Sequence, residues 1–206
     1  MRKTRVVVSL IFLGLALLIA GCAKPPQEQV DAAKQALVNA QQAGALDYAQ
    51  PALKSAEDAV AALDAELQAQ QKKFALFRSY KNASQLAATA KTAGETAVSD
   101  ANAGKEKARG EAEAAIAQAK TALTDAQSAI ATAPAGKGSQ MDIEAMRSDL
   151  TGVETSIAEA DRLYQEGTYI QAKSRADAAM QSAMGVKTSI DQAKEAKAAA
   201  KGKRGT

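Results

Sequence analysis

Apolar residues recur at spacings of three and four along nearly the whole chain, which is the period of one face of an α-helix. Val30, Ala33, Leu37 and Ala40 form a first stripe, and Gly44 ends that run as a C-cap. Asp47, or Gln50 with Pro51 behind it, opens a second helix whose stripe is Leu53, Ala56, Val60, Leu63 and Leu67. That stripe carries on to Phe74 and Phe77, with Gln70 as its single polar break. Phe74, Phe77 and Tyr80 then read as an apolar plug at the end of a hairpin. The pattern leaves two alternatives open at residues 72–79: a break with Ser79 capping the next helix, or one unbroken helix.

From Ala83 to Ala131 the stripe is almost entirely alanine: Ala83, Ala87, Ala90, Ala97, Ala101, Ala108, Ala112, Ala115, Ala119, Ala122 and Ala126. This predicts one long helix from about Ser79 to Thr132, roughly 80 Å at 1.5 Å per residue. Gly94, Gly104 and Gly110 interrupt it, and bending is expected there because glycine weakens a helix. The stretch "APAGKGSQ", Ala133 to Gln140, reads as a loop. Asp142 is placed to cap the following helix, with the stripe Ile143, Met146, Leu150, Val153, Ile157, Ala160 and Tyr164, ended by Gly167. A last helix carries Ala172, Ala176, Ala179, Ala183, Val186, Ile190 and Ala193 and frays into the C-terminal "KGKRGT".

An internal repeat accompanies this pattern. Tyr80, Ala83, Ala87 and Ala90 have the spacing of Tyr169, Ala172, Ala176 and Ala179, and Tyr48, Ala52, Ala56 and Ala59 repeat it with one extra residue. Small residues at such spacing let helices approach closely and cross at shallow angles. The expected fold is all-α: an elongated antiparallel helical-hairpin bundle with coiled-coil-like, alanine-rich seams around a long central helix. Residues 30–103 hold an N-terminal hairpin and half of the long helix, and residues 104–200 the other half with a C-terminal hairpin. Residues 201–206 form a basic disordered tail.

The first residues follow a different pattern. Arg2, Lys3 and Arg5 precede an apolar run from Val6 to Ala20, the layout of a secretory signal peptide over residues 1–21. The run is shorter than the roughly 20 residues that a spanning helix needs. It closes on Ile19-Ala20-Gly21-Cys22, and Cys22 is the single cysteine of the chain. This stretch resembles the lipobox of bacterial lipoproteins, in which Ile19, Ala20 and Gly21 are the signal-peptidase recognition residues. The resemblance implies that Cys22 becomes a lipidated N-terminus, the chain's attachment to a membrane. Ala23 in place of aspartate implies, by the sorting rule of enteric lipoproteins, the outer membrane in preference to the inner one. Pro25 and Pro26 make residues 22–29 a short stiff tether.

Composition and charge narrow the function classes. Alanine supplies 51 of 206 residues and histidine is absent, so the core is thin and the usual acid, base and metal ligand is missing. Removing Arg2, Lys3 and Arg5 from the 26 basic residues balances the 23 acidic ones. A neutral exported chain offers no general footprint for nucleic acid. What asymmetry remains lies at the C-terminus, where Lys194, Lys197, Lys201, Lys203 and Arg204 are candidates for contact with an anionic surface. Glu111, Glu113, Lys105 and Lys107 read as a solvated face, and "AGKGS" at Ala135–Ser139 lacks the spacing of a phosphate-binding loop. Met180 and Met184 with Tyr164 and Tyr169 could line a groove, but methionines at helical spacing read first as core. No catalytic, metal or cofactor-binding residue is assigned, and no enzyme activity is expected.

The segment Val30–Leu63 resembles the domain of unknown function number forty-three ninety-eight of Gram-negative lipoproteins, through Gln50-Pro51 and the spacing Leu53, Ala56, Ala59 and Leu63. That resemblance implies an envelope location and no known activity. Three readings compete. The first is a tethered helical scaffold binding an envelope protein partner through a helix face, with self-association allowed. The second is a peptidoglycan or anionic-polymer spacer using the basic C-terminal helix. The third is a carrier or enzyme subunit with an internal cavity, which predicts a pocket near Met180.

Overall fold

The computed structural model describes residues 24–133 and 139–202, and side chains within residues 24–133 and 143–199. The signal segment, Ile19, Ala20, Gly21 and Cys22, and the terminal Lys203 and Arg204, lie outside the described residues. Among those described, all regular structure is helical: α1 (Gln27–Gln42), α2 (Ala45–Tyr48), α3 (Gln50–Gln71), a 3-10 turn (Ala75–Phe77), α4 (Lys81–Ala131), α5 (Ser139–Gln165) and α6 (Tyr169–Gly202). The all-α expectation, with one long helix joining two sets of shorter ones, is what the chain adopts. No described helix is long and apolar enough to cross a membrane.

Local chemistry explains most boundaries. Pro25 and Pro26 have no N–H to give, and the Pro26 carbonyl accepts from the Val30 N–H at 3.0 Å, so α1 begins at Gln27, inside the stretch expected to be tether. Gly44 and Gly167 have φ of +84° and +79°, the left-handed conformation that ends helices at little cost for glycine. Asp47 does not cap the second long helix; it sits inside the short α2, and α3 opens after Ala49 with Pro51 in its first turn. Asp142 likewise lies within α5, which begins at Ser139.

The chain divides into two compact units after Gly104. In the first, α1, α3 and the start of α4 meet in a core of Val30, Ala33, Val60, Leu63, Tyr80, Ala83, Ala87 and Ala90. A second cluster, Ala40, Ala45, Ala49, Leu53, Ala56, Ala97 and Ala101, continues it past α2. In the second unit, Ala115, Ile116, Ala119, Ala126 and Ile130 of α4 pack with Leu150, Val153 and Ile157 of α5 and with Ala176, Ala179, Ala183, Val186 and Ile190 of α6. Leu63 and Ile190 are the largest fully buried side chains, each worth about 1.5–3 kcal/mol. The remainder of each seam is small contacts summed over many turns. Ala193 is exposed rather than part of the seam.

The α4 seam has no gaps once its glycines are counted. Buried or half-buried positions run 83, 87, 90, 94, 97, 101, 104, 108, 112, 115, 119, 122 and 126, and Gly94 and Gly104 occupy two of them. A Cβ on Gly94 would lie 2.8 Å from the backbone carbon of Ala36, and one on Gly104 would lie 2.4 Å from the carbonyl oxygen of Tyr48. These glycines let the α1–α2 segment touch the α4 backbone, a role that the expected bending did not anticipate. The steps alternate three and four except at 104–108–112, where two fours follow each other. Such a stutter shifts the phase of a heptad seam. It falls where α4 leaves one set of partners and takes up the other.

The tyrosine repeat holds in two copies. Ala83, Ala87 and Ala90 are buried behind Tyr80, and Ala172, Ala176 and Ala179 behind Tyr169. In the Tyr48 copy the buried line is instead Ala49, Leu53, Ala56 and Val60, while Ala52 and Ala59 are only half-buried. Tyr48 closes one helix instead of opening the next, so the phase of the copy is lost.

Candidate functional site

Residues 72–79 break the helix. The α3 ladder stops at Gln71, and Arg78 reaches back to it: its Nε donates to the Lys73 carbonyl and its Nη2 to the Gln71 carbonyl, both at 3.0 Å. A cation thus covers carbonyls left open at a helix C-terminus. Gln70, the polar break in the stripe, is 6% exposed. Its Nε2 donates to Glu66 Oε1 at 2.8 Å, and its Oε1 accepts the Ser79 N–H at 3.1 Å. Ser79 is therefore held by Gln70 and does not cap α4; the Tyr80 carbonyl accepts the first amide of the long helix, from Ser84. A glutamine in an apolar stripe was the sequence signal for this pinned turn.

The pinned turn reverses one expectation. Tyr80 is buried, but Phe74 and Phe77 are 70% and 76% exposed and Leu76 is 61% exposed. They plug nothing. The two rings lie beside each other with centroids 6.4 Å apart. Lys72, Lys73 and Arg78 flank them.

Of the basic C-terminal residues, Lys194 and Lys197 have described side chains. Lys194 turns its Nζ onto Thr132 Oγ1 at 2.7 Å, with Asp191 Oδ1 at 3.9 Å. Lys197 is on the exposed face of α6, and Lys201 is helical with its side chain outside the described residues. On the same helix Lys187 donates to Asp191 at 2.8 Å. Hydrogen bonding to that ammonium, with its charge, holds the Asp191 carboxyl below its ordinary range and raises the Lys187 ammonium above its own.

Tyr164 and Tyr169 stack obliquely at 5.3 Å. The Arg109 Nε donates to the Tyr164 hydroxyl at 3.3 Å, and that hydroxyl donates to Glu113 at 3.5 Å. Met184 is exposed and Met180 packs against the core. A groove of about 900 Å³ in the second unit runs between α5 and α6 instead. Ser148, Gly152 and Ser156 line it from α5, and Ser182, Gly185 and Ser189 from α6. Small side chains leave that space open, and neither methionine of the expected groove borders it. No group of carboxylates among the described residues could hold a metal ion.

No protein-family model, no curated protein and no solved structure matches the chain. The resemblances of Ile19–Cys22 and of Val30–Leu63 therefore rest on their own residues.

Proposed function

We propose that this chain is a lipid-anchored scaffold of the bacterial envelope, attached through Cys22 at the periplasmic face of the outer membrane and acting without catalysis by binding a protein partner. The observation that carries the reading is the Ile19-Ala20-Gly21-Cys22 sequence behind a basic head and a 15-residue apolar run. One acyl chain gives only marginal membrane binding, whereas two or three make attachment lasting. Support also comes from the way the helices are built. Seams of alanine and glycine devote their small side chains to close helix contact and leave the polar faces for other molecules. Of the cations the spacer alternative would use, Lys194 keeps its charge while its ammonium donates to Thr132 and lies 3.9 Å from Asp191.

Metabolic labelling with a palmitate analogue tests the anchor. The parent is expected to carry label and to sediment with membranes, and Cys22→Ala to lose both label and processing. Equal labelling of the two would overturn the lipoprotein reading.

A further inference from the structure

The tip between α3 and α4 carries exposed apolar surface in a stretch of sequence whose charged residues are all basic. Phe74, Leu76 and Phe77 all point away from the core. They are held in that position by Arg78 on the Gln71 and Lys73 carbonyls and by Gln70 on the Ser79 amide. From Glu66 to Glu95 no acidic residue intervenes, while Lys72, Lys73, Arg78, Lys81 and Lys91 all fall in that interval. Among the described residues, Lys72 and Lys73 form no ion pair. The acidic residues near the tip are Glu66, whose carboxylate accepts from Gln70, and Glu28, which borders the same groove as Lys81.

That groove also locates the tip. Glu28 and Gln29 of the first turn of α1 face Lys81, Ser84 and Gln85 of the first turn of α4, and Val30 shares a core cluster with Tyr80. The start of α1 and the tip thus lie at the same end of the first unit. Cys22 is five residues before Gln27, at most about 18 Å of chain. A lipid held on Cys22 would bring this end of the unit to the bilayer surface, with the phenylalanines foremost. Aromatic and aliphatic side chains ringed by lysine and arginine match the boundary between acyl chains and anionic headgroups.

We propose that Phe74, Leu76 and Phe77, with Lys72 and Lys73, form a second membrane contact that seats this end of the protein on an anionic phospholipid surface. This inference rests on the lipid-anchor reading for its geometry. The anchor would hold the protein at the membrane, and the tip would fix which end faces it.

The chain has no tryptophan, so Phe77→Trp installs a single indole reporter at an exposed position. The full chain carrying it would be reconstituted into phosphatidylethanolamine–phosphatidylglycerol vesicles with brominated acyl chains. The emission of this tip indole is expected to shift to the blue and to be quenched. A separate Leu46→Trp variant places its indole beyond the far end of the 16-residue α1, about 24 Å away, and is expected to stay unquenched. Replacing phosphatidylglycerol by phosphatidylcholine, or Lys72 and Lys73 by glutamine, should weaken the quenching of the tip indole. An unquenched Phe77→Trp protein in vesicles would overturn the proposal and leave the tip to a protein partner. Equal quenching of the Leu46→Trp and Phe77→Trp proteins would also overturn it, since the end would then not be selected. The palmitate label on Cys22 is read separately. A labelled chain with an unquenched tip indole overturns the tip alone, and an unlabelled chain with a quenched one overturns the anchor alone.

Discussion

Glycine-to-alanine substitution on α4 is expected to change sign from one position to another on the same helix. Replacing glycine by alanine within a helix gains about 1 kcal/mol of intrinsic propensity wherever the methyl has room. Gly110 has that room: no atom lies within 4 Å of its added Cβ. Gly104 does not. Its Cβ would sit 2.4 Å from the Tyr48 carbonyl oxygen and 3.1 Å from the Tyr48 Cβ. The obstacle is backbone, so no flexible side chain can swing aside, and α2 must move off the seam by most of an ångström. Overpacking of that kind costs about 1–3 kcal/mol, and the upper part of the range applies here because the contact is between main chains. After the propensity gain, Gly104→Ala is expected to be destabilised by about 1–2 kcal/mol. Gly94→Ala, at 2.8 Å from the Ala36 carbonyl carbon and Cβ, should lose about 1 kcal/mol. In a chain of this length each kcal/mol moves the melting temperature by about 2–4 °C. Thermal unfolding followed by far-ultraviolet circular dichroism should therefore show Gly110→Ala raised and Gly94→Ala and Gly104→Ala lowered. A Gly104→Ala protein as stable as Gly110→Ala would refute the close-approach account of the α4 seam.

Three further expectations concern other parts of the molecule. Ala176, fully buried beside Ala179 and Val186, should lose about 1–3 kcal/mol on substitution by leucine, and chemical denaturation with an unshifted midpoint would remove it from the core. Gln70→Leu deprives the Ser79 amide of its acceptor and should speed hydrogen exchange at Ser79 and through the 72–79 turn, with α5 and α6 unchanged; unchanged exchange at Ser79 would show that the turn does not depend on Gln70. Glu159 accepts hydrogen bonds from Arg162 that, with its charge, hold its carboxyl below the ordinary range. A depressed folded value means that this support is complete above the carboxyl's unfolded value and is lost as pH falls through the folded one. Glu159→Gln should thus melt lower than the parent near neutrality and converge with it in acid, and a difference that widened in acid would reverse the assignment.

Local pattern was enough to tell which segments are helical, where Gly44 and Gly167 stop them, and that alanine seams hold them, because these follow from propensity and from a period written into each helix. The lipobox resemblance is likewise a linear signal. What each seam position meets is a matter of how the helices assemble. Gly94 and Gly104 look like helix weaknesses in one dimension and become contact points only because the backbones of Ala36 and Tyr48 lie against them. Phe74 and Phe77 continue the stripe of α3 on paper. The helix ends at Gln71, so the period no longer fixes their direction, and Arg78 and Gln70 turn them outward. The Tyr48 copy of the repeat failed for the same reason: a turn between Tyr48 and Pro51 resets the phase, and Leu53 and Val60 face the core in place of Ala52 and Ala59. Periodicity reports the faces of a helix only while the helix lasts, and whether a face is covered depends on what the rest of the chain brings to it.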